Sequence, residues 1–471
     1  MIIVKCDCIT DQVAVKATIF KMATQLGDVV MSAKPYVHTL SQSNRTINCS
    51  SCLKSCDALK KCSKCGVLKY CSVSCQREDW TVHKEECSYL QHVSPNIPVD
   101  SVMLMLRLII KHKQRDFGKP DSSKDTWKRF FLDFKTHKKE IQQDPDRMSQ
   151  FSQILITLQK LVGNSLPPAT EIFDIFCKMA VNSFTICDGE LNPVGVGIYI
   201  SPSLIDHSCQ PNAVVTFSGK ILYLRALEEI EDPSPENIRI SYIDQLALTS
   251  DRQDQLYKQY YFTCVCTRCS DGEKEKKMKS VKCQNCSLGN LEKDEDGFLP
   301  CKECGCSVNS TDLPRIHKYE NYICRSLESL KLEKKVQDAT KLLQSCMDCQ
   351  QKQKDYFSSY NIHCLQILDL GLDASIDSEN WFQALSYTGL LIAPYRLYYP
   401  HHSPQIGLLL MKQGKIQLFL KLLKEALTSL QQSGEIIKIT HGQEHPLYRD
   451  LQDLLEQCME EMRMALEFKN S

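Results

Sequence analysis

The chain has 471 residues, with 57 basic and 57 acidic side chains and a formal net charge of zero. This balance gives no electrostatic argument for binding to nucleic acid or to an anionic membrane, and the length predicts two or three domains with enough core to fold without cross-links. No run of 18 apolar residues and no secretory signal pattern is evident, so we expect an intracellular protein without a membrane span.

Cysteine is unusually frequent, at 26 of 471 residues. In a large chain without a secretory signal, thiolate–metal sites are a more common use of cysteine than disulfide bonds. The spacing of the cysteines therefore indicates what kind of site each region forms.

The first predicted elements are short strands. Residues 12–20 and 28–40 are rich in β-branched and apolar side chains, and Gly27-Asp28 lies between them as a turn signal. Residues 1–48 are therefore expected to form the first part of a β-domain.

Residues 49–87 contain a cysteine cluster with metal-ligand spacing. Seven cysteines and one histidine form four pairs, spaced Cys-x2-Cys, Cys-x2-Cys, Cys-x3-Cys and His-x3-Cys. Eight such ligands suffice for two tetrahedral Zn²⁺ ions. His83 and Cys87 would share one face of a helix that is anchored by Trp80. Cys56 falls outside the pairs and is expected to be unligated.

This spacing resembles that of the MYND zinc finger. The resemblance implies two interleaved sites with protein ligands at every position, and therefore no open position for catalysis. It also implies a peptide-binding role, with proline-rich peptides among the expected ligands. One ion would take Cys49, Cys52, Cys71 and Cys75, and the other would take Cys62, Cys65, His83 and Cys87.

A helical region and a second group of strands follow the cluster. Apolar residues recur at three- and four-residue spacing in 99–113, 149–162 and 169–184, whereas 194–245 is strand-like. Because the two strand groups flank the cysteine cluster and the helices, we expect them to form one sheet domain that is interrupted in sequence.

Four further cysteines predict a zinc ion that joins distant parts of the chain. Cys209 has no neighbouring cysteine, whereas Cys264, Cys266 and Cys269 form a triplet downstream. Together they provide four thiolates, enough for a closed structural site. Such an ion would hold the loop around Cys209 against the segment that follows Tyr260.

The loop Asp-His-Ser-Cys-x-Pro-Asn at 206–212, the later Tyr242 and the Cys-x-Cys-x2-Cys triplet resemble the marks of SET-domain protein methyltransferases. A SET domain that is split by a MYND finger and followed by a helical tail resembles the SMYD family, over nearly the whole chain. The resemblance implies an α+β, multidomain fold and a protein-lysine N-methyltransferase that depends on S-adenosylmethionine (SAM) and acts on histone or non-histone proteins.

The resemblance also implies roles for individual residues. Lysine methylation requires a methyl donor held in line with a neutral amine, in a site that excludes water. Tyr242 corresponds to the catalytic tyrosine, and Phe184 and Tyr260 would wall the lysine channel; taken alone, each of them would be interpreted as a core residue. The donor site would comprise His137, Asn182, Asp206, His207, Tyr242 and Phe262.

Two departures from the family pattern bear on activity. The segment 11–17 lacks both glycines of the family's Gly-x-Gly turn, and a Cβ is costly where backbone must approach a ligand. Asp206 stands where the family usually has Asn. Ionised Asp only accepts hydrogen bonds. A contact is therefore lost if the side chain at position 206 must donate a hydrogen bond, whereas the contact is improved if this side chain accepts one from an ammonium group. The alternative to an active enzyme is a weak or inactive adaptor that binds peptides through the finger and the tail.

A third cysteine group and a helical tail complete the chain. Cys283, Cys286, Cys301 and Cys304 form two Cys-x2-Cys knuckles, typical of a zinc ribbon, with Cys306 as an alternative ligand. The expected zinc content is thus about four ions per chain.

From about residue 313 the pattern is helical, with predicted turns near Gly371, Pro400, Gly414 and Gly442. Small residues recur, and the tail resembles tetratricopeptide (TPR)-like helical hairpins; the alternative is a purely structural bundle. The small residues are Ala384, Gly389, Gly414 and Ala426.

The expected segments are a SET N-terminal part, a MYND finger, a helical SET insert, the SET core, a post-SET region with the zinc ribbon, and a TPR-like domain. We expect a cytoplasmic and nuclear monomer that acts on lysine in a protein or peptide, without a membrane or nucleic-acid partner. The boundaries of the segments are 1–48, 49–87, 88–185, 186–250, 251–310 and 311–471.

Overall fold

The computed structural model describes residues 23–94, 96–118, 127, 129–286, 288–334 and 338–470. The predicted strand at 12–20 and the segment 11–17 that lacks the glycines lie outside the described residues. The predicted α+β, multidomain fold class is confirmed, since strands and helices alternate in the first part of the chain and helices make up the last part.

Strands from the two predicted groups pair with each other. Strand β1 pairs antiparallel with β9, which also pairs with β8, and β2 pairs antiparallel with β6, which also pairs with β5. The expected pairing across the interruption is confirmed, although the strands form separate small sheets. The strands are β1 (Val29–Ala33), β2 (Val37–Leu40), β3 (Lys60–Lys61), β4 (Lys69–Tyr70), β5 (Ser183–Cys187), β6 (Pro193–Ile198), β7 (Asp206–His207), β8 (Ala213–Ser218), β9 (Ile221–Ala226), β10 (Arg239–Ile240), β11 (Val281–Lys282) and β12 (Asn290–Leu291).

Helices fill the chain between the finger and the β-region. Ser72 caps α1 by accepting from Cys75 N–H, and Asp144 caps α4 ahead of Pro145. The helical pattern predicted over 169–184 ends at Asn182, because Ser183 begins β5; the expected boundary between 185 and 186 therefore falls inside a strand. These helices are α1 (Val73–Val93), α2 (Asp100–Lys113), α3 (Lys138–Gln143), α4 (Pro145–Val162) and α5 (Ala169–Asn182).

Helix α2 joins the finger to the β-region. Its residues Val102–Ile110 are all buried, and Arg107 among them is 4% exposed. The Arg107 guanidinium donates twice to Glu86 of α1, at 2.9 and 2.6 Å, and also donates to Asp79 at 3.1 Å and to His38 O of β2 at 2.8 Å. Because both carboxylates are buried as well, the charges compensate each other inside the core.

The C-terminal region is helical throughout its described residues. Consecutive helices pack against one another, as expected of helical hairpins. Three short helices, α6 (Thr249–Tyr260), α7 (Thr267–Ser270) and α8 (Gly272–Met278), precede it. The tail helices are α9 (Leu313–Glu333), α10 (Ala339–Gln353), α11 (Ile362–Asp377), α12 (Trp381–Tyr398), α13 (Pro404–Phe419), α14 (Leu423–Thr440) and α15 (Pro446–Asn470).

Two of the predicted turns in the tail are wrong. Gly371 lies inside α11 and Gly414 inside α13, whereas Pro400 and Gly442 do lie between helices. A Cβ on Gly414 would approach Leu430 Cγ to 2.6 Å, and one on Gly371 would approach the Tyr387 ring to 2.8 Å. These glycines therefore permit close helix packing rather than turns.

Of the other small residues predicted at close-packing positions, two are buried and one is not closely packed. Ala384 and Ala426 are buried, as close packing requires. A Cβ on Gly389 would meet nothing within 4 Å, so the expectation that Gly389 is a close-packing position is wrong.

The end of α14 and the loop after it attach the tail to strand β8. Thr216 Oγ1 donates to Thr440 O at 3.1 Å, and His445 Nε2 donates to Phe217 O at 2.9 Å. The ring of His441 lies 4.9 Å from that of His445 and is buried.

In the described part of the chain, no helix combines the length and apolarity that crossing a membrane requires.

We predict that acidification weakens this attachment. Burial, together with His445, lowers the pKa of His441 from 6.5 to about 3, so the folded protein keeps the ring neutral while the unfolded chain takes up a proton as the pH falls through 6.5. The folding stability that the neutral His441 ring contributes above pH 6.5 is lost progressively as the pH falls below 6.5. Between pH 7 and pH 5.5 this costs about 1 kcal/mol of unfolding free energy.

The measurement is the unfolding free energy from urea titrations at several pH values. His441→Gln should lose about 1 kcal/mol less over that interval than the native chain. His401→Gln, which replaces an exposed histidine, should follow the native pH dependence. An unchanged slope in His441→Gln would contradict the prediction.

Candidate functional site

The predicted ligands of the finger form two groups of four. Within each group, one ligand atom per residue lies within 4.8 Å of the others, as four atoms around one ion would. The groups have the same membership as the two interleaved sets expected from the sequence. Cys56 belongs to neither group among the described residues. The groups are Cys49, Cys52, Cys71, Cys75 and Cys62, Cys65, His83, Cys87.

A buried carboxylate orients the histidine of the second group. His83 Nδ1 lies 3.0 Å from Glu86 Oε1, and its Nε2 lies 3.4 Å from Cys62 Sγ and 3.6 Å from Cys65 Sγ. With Nδ1–H donating to Glu86, Nε2 is left to bind a metal, a common arrangement of histidine ligands. Since Arg107 binds the same carboxylate, the metal site is coupled to the core through Glu86.

Cys209 meets the downstream triplet, as the sequence predicts. One sulfur from each of Cys209, Cys264, Cys266 and Cys269 lies within 4.8 Å of the others. Arg252 of α6, which is 1% exposed, points its guanidinium at two of these sulfurs: Nε lies 3.3 Å from Cys209 and Nη2 lies 3.6 Å from Cys269. A positive charge there offsets the negative charge of four thiolates around a divalent ion.

This cluster fixes the loop that carries the predicted donor-site residues. Strand β7 pairs in parallel with β10, which sets Asp206 opposite Arg239 and His207 opposite Ile240. The backbone N–H of Tyr242 donates to His207 Nδ1 at 3.0 Å, and His207 Nε2 lies 3.3 Å from Cys209 Sγ. Burial and then Arg252 lower the pKa of His207 to about 4, so the ring is neutral, and Nδ1 accepts while Nε2–H donates to the sulfur.

A cavity of about 300 Å³ opens beside this loop. It brings together most of the predicted donor-site and channel residues, although they come from distant parts of the chain. Its volume is at the lower end of the usual range for small-molecule sites. The lining residues predicted from the sequence are His137, Asn182, Phe184, Asp206, Tyr242, Tyr260 and Phe262.

The structure does not place His207 in the cavity wall. The ring is buried behind it, 5.3 Å from the Tyr242 ring and 6.0 Å from the Phe262 ring. The contribution of His207 to the donor site stays a prediction, while its ring links Tyr242 to Cys209. Sequence reasoning could not distinguish the buried ring of His207 from the cavity-lining Asp206, because the two residues are adjacent in one short strand.

Several aromatic rings line the cavity. The rings of Tyr242 and Tyr260 are 4.9 Å apart, and those of Tyr260 and Phe262 are 6.5 Å apart. Tyr242 Oη donates to Ile205 O. Burial, followed by Asp206, raises the pKa of Tyr242 well above its ordinary value, so the phenol stays protonated.

The cavity also has polar lining residues, and one of them was missed by sequence reasoning. Asn182 Nδ2 donates to Lys135 O at 3.0 Å and to Lys178 O at 2.8 Å, which leaves its Oδ1 available as an acceptor. His137 begins α3 with a left-handed backbone, at φ 47°. Lys135 itself lines the cavity; it lies in a loop, where no periodic pattern marked it.

The third cysteine group also converges. One sulfur from each of Cys283, Cys286, Cys301 and Cys304 lies within 4.8 Å of the others, next to the β11–β12 pair. Cys306 is not a member of the group among the described residues, so the structure does not use it as the alternative ligand. The four convergent sets that contain cysteine consist of thiolates, with one imidazole in the second, which is the donor chemistry that Zn²⁺ prefers in tetrahedral structural sites.

Comparison with known proteins identifies close similarities over nearly the whole length. The MYND finger family model matches residues 49–87. Histone-lysine N-methyltransferase SMYD3 of Mus musculus is 32% identical over 445 residues, covering 93% of this chain and 94% of its own. Histone-lysine N-methyltransferase ASHR1 of Arabidopsis thaliana is 31% identical, covering 92% and 91%. N-lysine methyltransferase SMYD2 of Bos taurus is 28% identical, covering 92% and 93%.

We predict four zinc ions per chain, one for each convergent set. Cys304→Ser should remove one ion, because it deletes a ligand of the third cysteine group. Cys306→Ser is the matched control two residues away and should retain all four. Elemental analysis of the purified chain measures the ratio; equal zinc content in the two variants would contradict the assignment.

We also predict that Arg252 stabilises the ion at Cys209. Arg252→Gln removes the charge that faces two of the sulfurs, and substitutions at such supporting positions weaken metal affinity about 10- to 100-fold. Competition with a chelator should show one ion released earlier while three are kept. Arg325→Gln, an exposed position on α9, is the control, and identical release from both variants would refute the role.

Proposed function

The chain belongs to the SMYD family, and we propose that it is a protein-lysine N-methyltransferase that uses SAM as its methyl donor. The observation that carries this proposal is the cavity of about 300 Å³ that Tyr242 lines. It is lined both by residues of the predicted donor site and by both residues of the predicted lysine channel. The relatives named above, which are called lysine methyltransferases, support the same reaction class.

The cavity fits the cofactor and the substrate by its chemistry. Its aromatic lining suits the apolar stem of a lysine side chain, while its polar lining suits a nucleoside with an amino-acid tail. SAM, when bound, would supply a methyl group on a sulfonium centre for transfer to a neutral amine nitrogen. The walls from Phe184, Tyr260 and Phe262 limit water, which strengthens electrostatic interactions inside.

Tyr242 acts in this proposal as a neutral phenol and not as a base. Its raised pKa keeps the proton on the oxygen, and the bond to Ile205 O fixes the direction of the hydroxyl. With the O–H directed at that carbonyl, the oxygen lone pairs of Tyr242 can accept hydrogen bonds from groups in the cavity. The burial around Tyr242 and Tyr260 also favours the neutral form of a lysine amine, because desolvation disfavours its charged form.

The zinc sites have a supporting role in the proposal. The set at Cys209 holds the donor-site loop, and the two sets in the finger hold a small module that presents a surface for peptide segments. We propose a SET-type domain from 1–48 and 186–250, completed by the post-SET part of 251–310. Cytoplasmic and nuclear localisation and a monomeric state stay predictions from the family resemblance.

The proposal predicts saturable SAM binding and methyl transfer to a protein lysine. Calorimetry should detect binding in the micromolar range, and a radiolabelled methyl group should appear on a protein substrate. Tyr242→Phe should reduce transfer about 100-fold or more, because it removes a preorganised hydroxyl at the reaction centre, while SAM affinity changes little.

Tyr257→Phe is the matched control, since Tyr257 lies on α6 close to the site but is 58% exposed and does not line the cavity. This variant should keep full activity. Absence of binding at millimolar SAM would refute the proposed methyltransferase function and leave the peptide-binding adaptor as the remaining hypothesis.

A further inference from the structure

The segment that follows Tyr242 is held at its two ends by different parts of the molecule. Residues 241–248 lie between β10 and α6 and contain no helix or strand. Tyr242, near the start, is bonded through its N–H to His207. Leu246, four residues later, is 3% exposed and belongs to the same buried hydrophobic cluster as residues of α11 and α12. Four residues span at most about 14 Å, so a shift of the tail helices would reach Tyr242.

A phenol from the tail bonds to the turn in this segment. Tyr399, the first residue after α12, donates its hydroxyl to Asp244 Oδ1 at 2.7 Å. The same oxygen accepts from the backbone N–H of Leu246 at 3.0 Å, a local bond that shapes the turn. Tyr399 is 4% exposed, and burial, followed by Asp244, raises its pKa well above the ordinary value. The hydroxyl therefore keeps its proton and stays a donor to Asp244.

Two further contacts hold the same turn, but each is less separable from the rest of the fold. Gln366 Nε2 of α11 donates to Leu246 O at 3.3 Å, which is long for a hydrogen bond. Arg268 donates to Gln245 O at 2.8 Å, and it lies between two of the predicted zinc ligands. The Tyr399 hydroxyl is thus the tail contact that can be removed without disturbing the metal cluster.

Resting on the proposed function, we propose that Tyr399 is a positioning residue for methyl transfer, which acts through Asp244 on the turn that carries Tyr242. Tyr399 is not among the residues that line the cavity, so it would act by placement and not by contact with a reactant. The effect can be large, because a displacement of about 1 Å at a reaction centre can lower a rate about 100-fold. The tail then sets the rate of the reaction as well as covering the domain.

The test compares the rate of transfer with the binding of the donor. Tyr399→Phe removes the hydroxyl and keeps the ring, and it should lower kcat for methyl transfer to a protein substrate about tenfold. The affinity for SAM, measured by calorimetry, and the KM for the protein substrate should each stay within about twofold of the native value.

Variants at Asp244 test the same bond from the other side. Asp244→Asn keeps an acceptor oxygen and should retain most of the native kcat, whereas Asp244→Ala should match Tyr399→Phe. The double variant Tyr399→Phe with Asp244→Ala should be no slower than Asp244→Ala alone, because both changes remove one interaction. Asp244 is exposed, so its variants report on the bond even if Tyr399→Phe fails to fold.

Tyr395→Phe is the matched control, since Tyr395 lies one turn earlier, in α12, and donates to Asp369 Oδ1 of α11 at 2.5 Å. This variant loses the same kind of buried phenol–carboxylate bond, but within the tail. Its thermal stability should fall at least as much as that of Tyr399→Phe, while its kcat should stay native. A purely structural role for Tyr399 would make the two variants behave alike.

The outcomes separate this inference from the proposed function. If the native chain transfers methyl groups and Tyr399→Phe and Asp244→Ala do so equally fast, the inference is wrong while the proposed function stands. An equal loss of kcat in Tyr395→Phe would also overturn it, because the effect would then follow general destabilisation of the tail. A native chain that neither binds SAM nor transfers a methyl group would refute the proposed function, and the inference with it.

Discussion

The convergence of Cys209 with Cys264, Cys266 and Cys269 is the constraint on which the candidate site depends. The loop around Cys209 is short and largely polar, with Ile205 as its deeply buried aliphatic residue. Structural zinc binding in small modules is worth about 10–16 kcal/mol, far more than a few loop hydrogen bonds. His207 links the Cys209 sulfur to the backbone of Tyr242, so an ion bound by this cluster would help to set the position of the phenol.

Two buried arginines, Arg252 and Arg268, connect the Cys209 cluster to neighbouring segments of the chain. Arg252 faces the thiolates and also donates to Ala247 O, so it ties the metal site to the chain that follows Tyr242. Arg268, two residues after a predicted ligand, donates to Gln245 O and to Tyr398 O at the end of α12. The tail is therefore attached to the loop of the candidate site as well as to β8. The cavity beside Tyr242 is therefore bounded by segments that the Cys209 cluster, Arg252 and Arg268 connect.

Metal ligands were the most predictable part of this molecule, because short spacings such as Cys-x2-Cys dictate which sulfurs can share an ion. The residues around Tyr242 could be assigned only through resemblance, since a phenylalanine or tyrosine in a strand looks the same whether it lines a channel or a core. At other positions, tertiary packing determined the structure against the preference of the local sequence. Ser183 and Phe184 were predicted as the end of a helix but pair with β6. Gly371 and Gly414 were predicted as turns but lie where a neighbouring helix packs closely. Lys135 carried no local signal at all.

The contact of Arg107 with Glu86 has a consequence for how the finger relates to the rest of the chain. A module inserted into a loop can usually be deleted without harm to its host. Here, excision would strand a guanidinium in an apolar interior, and removal of one partner of a buried pair costs about 3–5 kcal/mol. The rest of the domain therefore depends on the finger, and shortened versions of this protein that omit residues 49–87 would need a neutral side chain at position 107 to avoid this loss of stability.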